Sequence, residues 1–92
     1  MFTGIIQDLA TIKIKEDGLY QISTNLDLSK SKEGSSISCN GVCLTAKNIT
    51  QIDNKLFSFE VNIGEETLCR TNLANSISKN EKINLEKSLQ IG

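Results

Sequence analysis

Apolar residues recur at every second position through most of this chain, in short runs broken by turn-forming residues. In the run Leu56-Phe57-Ser58-Phe59-Glu60-Val61, Phe57, Phe59 and Val61 share one side while Ser58 and Glu60 take the other. Alternation of that kind marks a strand with one face in a core and one face wet. The same period predicts strands over 19–24, 36–39, 42–50 and 82–86, the last bringing Ile83 and Leu85 together. In the first segment Ile6, Ala10, Ile12 and Ile14 fall on one side and Ile5 and Leu9 on the other, with Asp8 interrupting the apolar side. Glu16-Asp17-Gly18, residues 29–34, Asn40-Gly41, Asp53-Asn54, Gly64 and Lys79-Asn80-Glu81 supply the breaks. Six short strands in so small a chain predict an all-β antiparallel barrel, because closure removes the exposed edges that invite misassociation.

One segment departs from period two. Residues 64–73 carry Glu65 and Glu66 at their start and Arg70 toward their end, the charge order that complements a helix macrodipole. They predict one short helix over 65–71. Its amino end would offer free backbone N–H groups to a polar ligand edge, and a helix that only plugs one end of the barrel fits the same residues.

The stretch Ser36-Ile37-Ser38-Cys39-Asn40-Gly41-Val42-Cys43-Leu44-Thr45 folds on paper into a two-faced hairpin. A two-residue Asn-Gly loop suits a type I′ turn, which pairs Cys39 with Val42, Ser38 with Cys43, Ile37 with Leu44 and Ser36 with Thr45. Facing partners share a side, so Ile37, Cys39, Val42 and Leu44 form an apolar face and Ser36, Ser38, Cys43 and Thr45 a small polar one. A row of hydroxyls and thiols is also what plain wet sheet surface can look like. Short side chains nevertheless leave room for a flat polar molecule to approach the backbone, where lysine and glutamate would fill it.

Composition narrows the function classes. The chain of 92 residues is expected to be a single domain over 1–92, with a net charge of −1 and an aromatic content of 4%, so neither a basic footprint nor a stacking platform for nucleic acid is present. Met1-Phe2-Thr3-Gly4-Ile5-Ile6 lacks the basic start of a secretory signal, and no apolar run approaches the roughly 20 residues that span a bilayer. A cytoplasmic protein with no membrane partner is the expectation. Three cysteines argue against a full disulfide framework, and Cys39 and Cys43 fall on opposite faces, which also argues against a shared metal in a chain without histidine. Cys39 reads as an inert core thiol, whereas Cys43 stands among hydroxyls. The ending Leu89-Gln90-Ile91-Gly92 reads as a place where a longer chain is cut or stops early rather than as a solvated tail.

Met-Phe-Thr-Gly-Ile-Ile at residues 1–6, Asn-Gly-Val-Cys-Leu-Thr at 40–45, Glu-Thr-Leu at 66–68 with Arg-Thr-Asn-Leu at 70–73, and Ile-Asn-Leu-Glu at 83–86 together resemble the amino-terminal half of the riboflavin synthase family. Each piece is weak alone; four in the same order and spacing, over essentially the whole chain, are specific. The resemblance implies a six-stranded Greek-key barrel that binds 6,7-dimethyl-8-ribityllumazine and riboflavin. It implies an enzyme that moves a four-carbon unit between two lumazines, giving riboflavin and 5-amino-6-ribitylamino-pyrimidinedione without a metal or organic cofactor. The family's full chain has two barrels and is expected to form a trimer, and its active site lies between the first barrel of one subunit and the second barrel of the next. A single barrel is expected to pair as a homodimer and to turn over slowly or not at all.

By position, the resemblance gives Gly4, Ile5 and Ile6 backbone contacts to the ligand and sets Phe2 beside the reacting rings. Ser36, Cys43, Leu44 and Thr45 match ligand-contacting positions, and Asn62, Ile63, Gly64, Glu65, Glu66 and Thr67 would form the remaining wall. Cys43 and Phe2 are the catalytic candidates, Cys43 as proton relay, adduct-steadying thiol or simple positioning group. Three departures accompany the matches: Glu65 stands where the family often has proline, Cys69 where it often has arginine, and Asn80 where glycine often turns the chain. The serine, aspartate and histidine of the second barrel have no counterpart in these residues. A non-catalytic lumazine or flavin carrier is the alternative reading, and an interaction barrel with an empty site is a third.

Overall fold

The alternating apolar residues become the inner face of a curled sheet. A computed structural model describes residues 8–71, 73–79 and 81–87. Its strands are β1 (Asp8–Glu16), β2 (Leu19–Thr24), β3 (Ser36–Cys39), β4 (Val42–Thr45), β5 (Lys47–Gln51), β6 (Phe57–Asn62) and β7 (Ile83–Lys87), with helices α1 (Glu65–Arg70) and α2 (Leu73–Ser78) between β6 and β7. They form one antiparallel sheet in the order β4-β3-β7-β1-β2-β6-β5. The first and last strands of that order are consecutive in the chain and separated by Ala46 alone, so the sheet curls and brings β4 close to β6. An all-β barrel-like fold results. β1 serves both halves, pairing with β7 through residues 8–10 and with β2 through residues 11–16.

Inside this curl Ile12 and Ile22 face each other across β1 and β2, Ile22 faces Phe59, and Ile37, Cys39, Ile83 and Leu85 close the other half, all nearly fully buried. Burying each large apolar side chain contributes roughly 1.5–3 kcal/mol. Asp8, the charge that interrupts the apolar side of β1, is accounted for by its partners. It accepts the Thr24 hydroxyl at 2.5 Å and the Asn25 N–H at 3.1 Å, where β2 leaves the sheet. Ile14 keeps the register of that side, opposite Tyr20, yet is 63% exposed because it lies at the β1 end where the pairing shifts before Glu16.

Two elements differ from the sequence expectation. The strand expected over 42–50 is broken at Ala46, which makes seven strands of six. A chain that leaves one half of the sheet for the other must interrupt its ladder, and here residues 34 and 35 take over: Gly34 N–H donates to the Ala46 carbonyl and Ala46 N–H to the Ser35 carbonyl, both at 2.8 Å. The helix expected over 65–71 stops at Arg70, and a second helix follows. Thr71 is the reason. Its backbone is extended, its hydroxyl donates to the Thr67 carbonyl at 2.8 Å, and the same oxygen accepts the Leu73 N–H at 3.3 Å, closing one helix and capping the next. Among the described residues, no helix is long and apolar enough to cross a membrane.

Candidate functional site

The β3–β4 hairpin is built by its turn. Asn40 and Gly41 both have positive φ, 52° and 82°, as a type I′ turn requires, and the strands pair Ser36 with Thr45, Ile37 with Leu44, Ser38 with Cys43 and Cys39 with Val42. The Asn40 side chain does further work: its amide nitrogen donates to Ser76 Oγ at 3.3 Å and its oxygen accepts the Asn84 N–H at 2.7 Å. Turn, α2 and β7 are thereby tied together.

That register separates the two faces as the sequence predicts. Ile37, Cys39 and Leu44 are buried against the core, with Val42 packed at its margin. Cys43 and Thr45 are exposed on the outside and Ser36 is half-buried. The two hairpin thiols accordingly live in different media. Cys39 is wholly inside, where burial first and the neighbouring Cys43 second push its pKa up to about 12, so it stays a protonated thiol. Cys43 is open to solvent.

Ser38 is more enclosed than a wet face requires, at 9% exposure, because β3 is flanked on both sides. Its neighbour on β7 is Glu86, itself 7% exposed, so the outward row runs from Cys43 through Ser38 to a carboxylate. Glu86 was not among the candidates read from the sequence. The signal was present in the alternation of Ile83-Asn84-Leu85-Glu86, which puts Asn84 and Glu86 opposite the two buried apolar side chains.

The second wall converges on the same end of the barrel. Lys47 pairs with Glu60, so the chain entering β5 from Thr45 passes beside the end of β6 at Asn62, and β4 runs close to β6. Asn62 and Gly64 are exposed, whereas Ile63 is buried and donates its N–H to the Gly18 carbonyl at 3.0 Å, which anchors the wall to the β1–β2 turn. Gly64 begins α1 in an extended conformation with no side-chain cap, and Glu65 and Glu66 follow in the first turn, both exposed. Glu66 is engaged by Arg70 at 2.9 Å, one helical turn on, and Thr67 is half-buried. Leu44 takes part in this surface only through its backbone, because its side chain is turned to the core. Phe2, Gly4, Ile5 and Ile6 lie outside the described residues.

Chemically, the exposed row offers a thiol, hydroxyls and an amide, groups that hydrogen-bond and position rather than strong acids or bases. A depression of about 500 Å³ bordered by Asn40, Asn75, Ser76 and Asn84 lies at the turn end of the hairpin, away from Thr45. Among the described residues, no buried side-chain nitrogen or oxygen lacks a partner.

Comparison with known proteins finds a family and several relatives. The family described as lumazine binding domain matches residues 3–88. Among curated proteins, the chain is 38% identical over 96 residues to the riboflavin synthase of Brucella abortus (strain 2308), covering 100% of this chain and 47% of that protein. It is 41% identical over 97 residues to the riboflavin synthase of Buchnera aphidicola subsp. Baizongia pistaciae, covering 100% and 43% respectively. With the riboflavin synthase of Bacillus subtilis (strain 168) it shares 34% identity over 93 residues, 97% of this chain and 40% of the relative. The chain spans less than half the length of each of these relatives.

Proposed function

The chain belongs to the lumazine binding domain family, and from that premise we propose that it binds 6,7-dimethyl-8-ribityllumazine or riboflavin on the outer face of the β3–β4 hairpin. In this reading it contributes one half of a riboflavin synthase active site. Support comes above all from one coincidence: the face that carries the family's Asn-Gly-Val-Cys-Leu-Thr motif is the face where Cys43 and Thr45 are open and Ser36 stands opposite Thr45. The flat ring system would lie along Ser36, Cys43 and Thr45 and the Leu44 backbone. Asn62, Ile63 and Gly64, with Glu65, Glu66 and Thr67, would hold the ribityl hydroxyls and ring edge. Phe2, Gly4, Ile5 and Ile6 would complete the enclosure.

In the proposed dismutation, a four-carbon unit passes from one lumazine to the other, leaving riboflavin and 5-amino-6-ribitylamino-pyrimidinedione. The C7 methyl of a lumazine is acidic because its ring delocalises the carbanion, so holding two rings in the reactive orientation supplies much of the acceleration. The exposure of Cys43 and Thr45 suits this role, because a second lumazine must be presented from a facing barrel. A second copy of this chain, as a cytoplasmic homodimer, is the proposed facing partner. Cys43 then relays a proton, steadies the adduct or positions the ring.

The test is to titrate the purified chain with 6,7-dimethyl-8-ribityllumazine while following ligand fluorescence, riboflavin formation and alkylation of Cys43. Bound ligand is expected to protect Cys43, with Cys39 unreactive throughout because it is buried and protonated. Binding without riboflavin identifies a binding half or a carrier, and riboflavin production identifies a catalytic barrel. Absence of binding, or binding that leaves Cys43 as reactive as before, overturns the assignment. Gel filtration at micromolar concentration checks the dimer.

A further inference from the structure

Across the corner from the hairpin, the strand that carries Cys43 and Thr45 turns into β5 through an arrangement of side chains that no motif accounts for. Asn48, two residues past Ala46, is in the left-handed region with φ 51°. Its pairing with β6 is irregular, since the register shifts between Lys47 and Thr50. Such a bulge leaves successive backbone N–H groups without ladder partners. Glu33 supplies them: one carboxylate oxygen accepts the Asn48 N–H at 2.8 Å and the other the Ile49 N–H at 2.9 Å. A carboxylate accepting two N–H groups is a strong, directional clamp.

Two further contacts restrict the same bulge. The Asn48 side-chain amide donates to Glu60 at 2.5 Å, and Glu60, whose side chain is 8% exposed, is also paired with Lys15 from β1. The loop that carries Glu33 is itself fixed to the corner through the Gly34 and Ser35 bonds to Ala46, and it leads directly into Ser36, the partner of Thr45. Glu33 therefore joins both strands of the proposed ligand face at the point where each leaves the hairpin.

We propose that Glu33 is a positioning residue for ligand binding: by gripping the Asn48 and Ile49 amides it sets the bend at Ala46, and through that bend it orients the Thr45 hydroxyl opposite Ser36. The inference rests on the assignment of the hairpin's outer face as the lumazine site. A carboxylate is required because each oxygen has its own donor. A carboxamide keeps one acceptor and presents its NH2 group to the second amide, which loosens the clamp at nearly constant volume.

The experiment compares wild type, Glu33→Gln and Thr24→Val for 6,7-dimethyl-8-ribityllumazine affinity, melting temperature and amide hydrogen exchange at residues 45–49. Thr24→Val breaks the contact with Asp8 and serves as a stability control outside the proposed site. Glu33→Gln is expected to weaken binding about tenfold, the scale of one hydrogen bond lost or misdirected at the ligand, with faster exchange confined to residues 45–49. Thr24→Val is expected to lower the melting temperature without weakening binding. A Glu33→Gln chain that binds as wild type does, or a loss of affinity that tracks melting temperature equally in both variants, overturns the role of Glu33. A wild-type chain that binds no lumazine overturns the site itself, whatever the exchange data show.

Discussion

The hairpin β3–β4 and the bend β4–β5 share a strand, yet they are specified in different ways. In the hairpin, two adjacent residues with positive φ and the alternation of side chains fix turn and register from within. In the bend, Ala46 is held by the backbone of Gly34 and Ser35, and the left-handed Asn48 by Glu33 fifteen residues before it and Glu60 twelve residues after. A turn between neighbouring strands leaves few backbone groups to satisfy. A strand that changes partners breaks its ladder, and the freed N–H groups must find acceptors wherever the fold brings them. Local chemistry can make the first, and only tertiary structure can make the second.

The largest expected effect separates the hairpin's inside from everything else. Ile37→Ala removes a side chain that is 1% exposed and leaves a cavity beside Cys39 and Leu85, at a cost of about 2–5 kcal/mol in urea denaturation. A loss below about 1 kcal/mol would mean that the inner face of the hairpin is not part of the common core.

A smaller effect with a distinct pH signature is expected at the bend. The hydrogen bond from Lys15, and then that from Asn48, hold the Glu60 carboxyl below its ordinary value of 4.5, and Lys15 is raised in turn by the same contact. Because the folded-state value is the lower one, the stabilisation is fully present above the unfolded value and is lost as pH falls through the folded one. Glu60→Gln should therefore be less stable than wild type at neutral pH, with the difference shrinking below about pH 4.5. Asp27, also held low by its hydrogen bonds to Ser29, contributes acid sensitivity to both proteins and cancels in the comparison. Denaturation curves from pH 7 to pH 3 that stay parallel would show that the Glu60 carboxylate does not support the bend.

Next in size is the hairpin turn. Gly41→Ala meets no atom within 4 Å, so its whole cost is that of holding alanine at φ 82°, about 1 kcal/mol in denaturant melts. Asn40-Gly41 is also where the sequence was most legible, since the turn type, the register and both faces of the hairpin follow from those two residues and the alternation around them. The barrel-like sheet was legible for the same reason, because alternation survives wherever a strand keeps one neighbour on each side. Ala46 was not, because it continues the apolar side of Val42 and Leu44, and the period fails only at Asn48 and Ile49, past the point where the partner changes. Thr71 carried a readable capping residue, but helices of six residues are too short to show a full amphipathic repeat. Nor does any local pattern reveal that Glu33 and Glu60 act on one bulge, which is a property of the folded curl.

The smallest expected effect on stability tests what the outer face is for. Thr45→Val keeps the shape of an exposed, β-branched side chain and deletes only its hydroxyl, so denaturation should change by less than about 0.5 kcal/mol. If the outer face is ordinary wet surface, nothing else should change either. If it holds a lumazine, the lost hydroxyl leaves a polar ligand atom without its partner, and affinity should fall several-fold at unchanged stability, an effect that fluorescence titration reads directly. Hairpin and bend then meet in one measurement. Thr45→Val removes the group that the bend is proposed to orient, so adding Glu33→Gln to it should weaken binding less than Glu33→Gln does in wild type, and full additivity would show that the two residues act on the ligand separately.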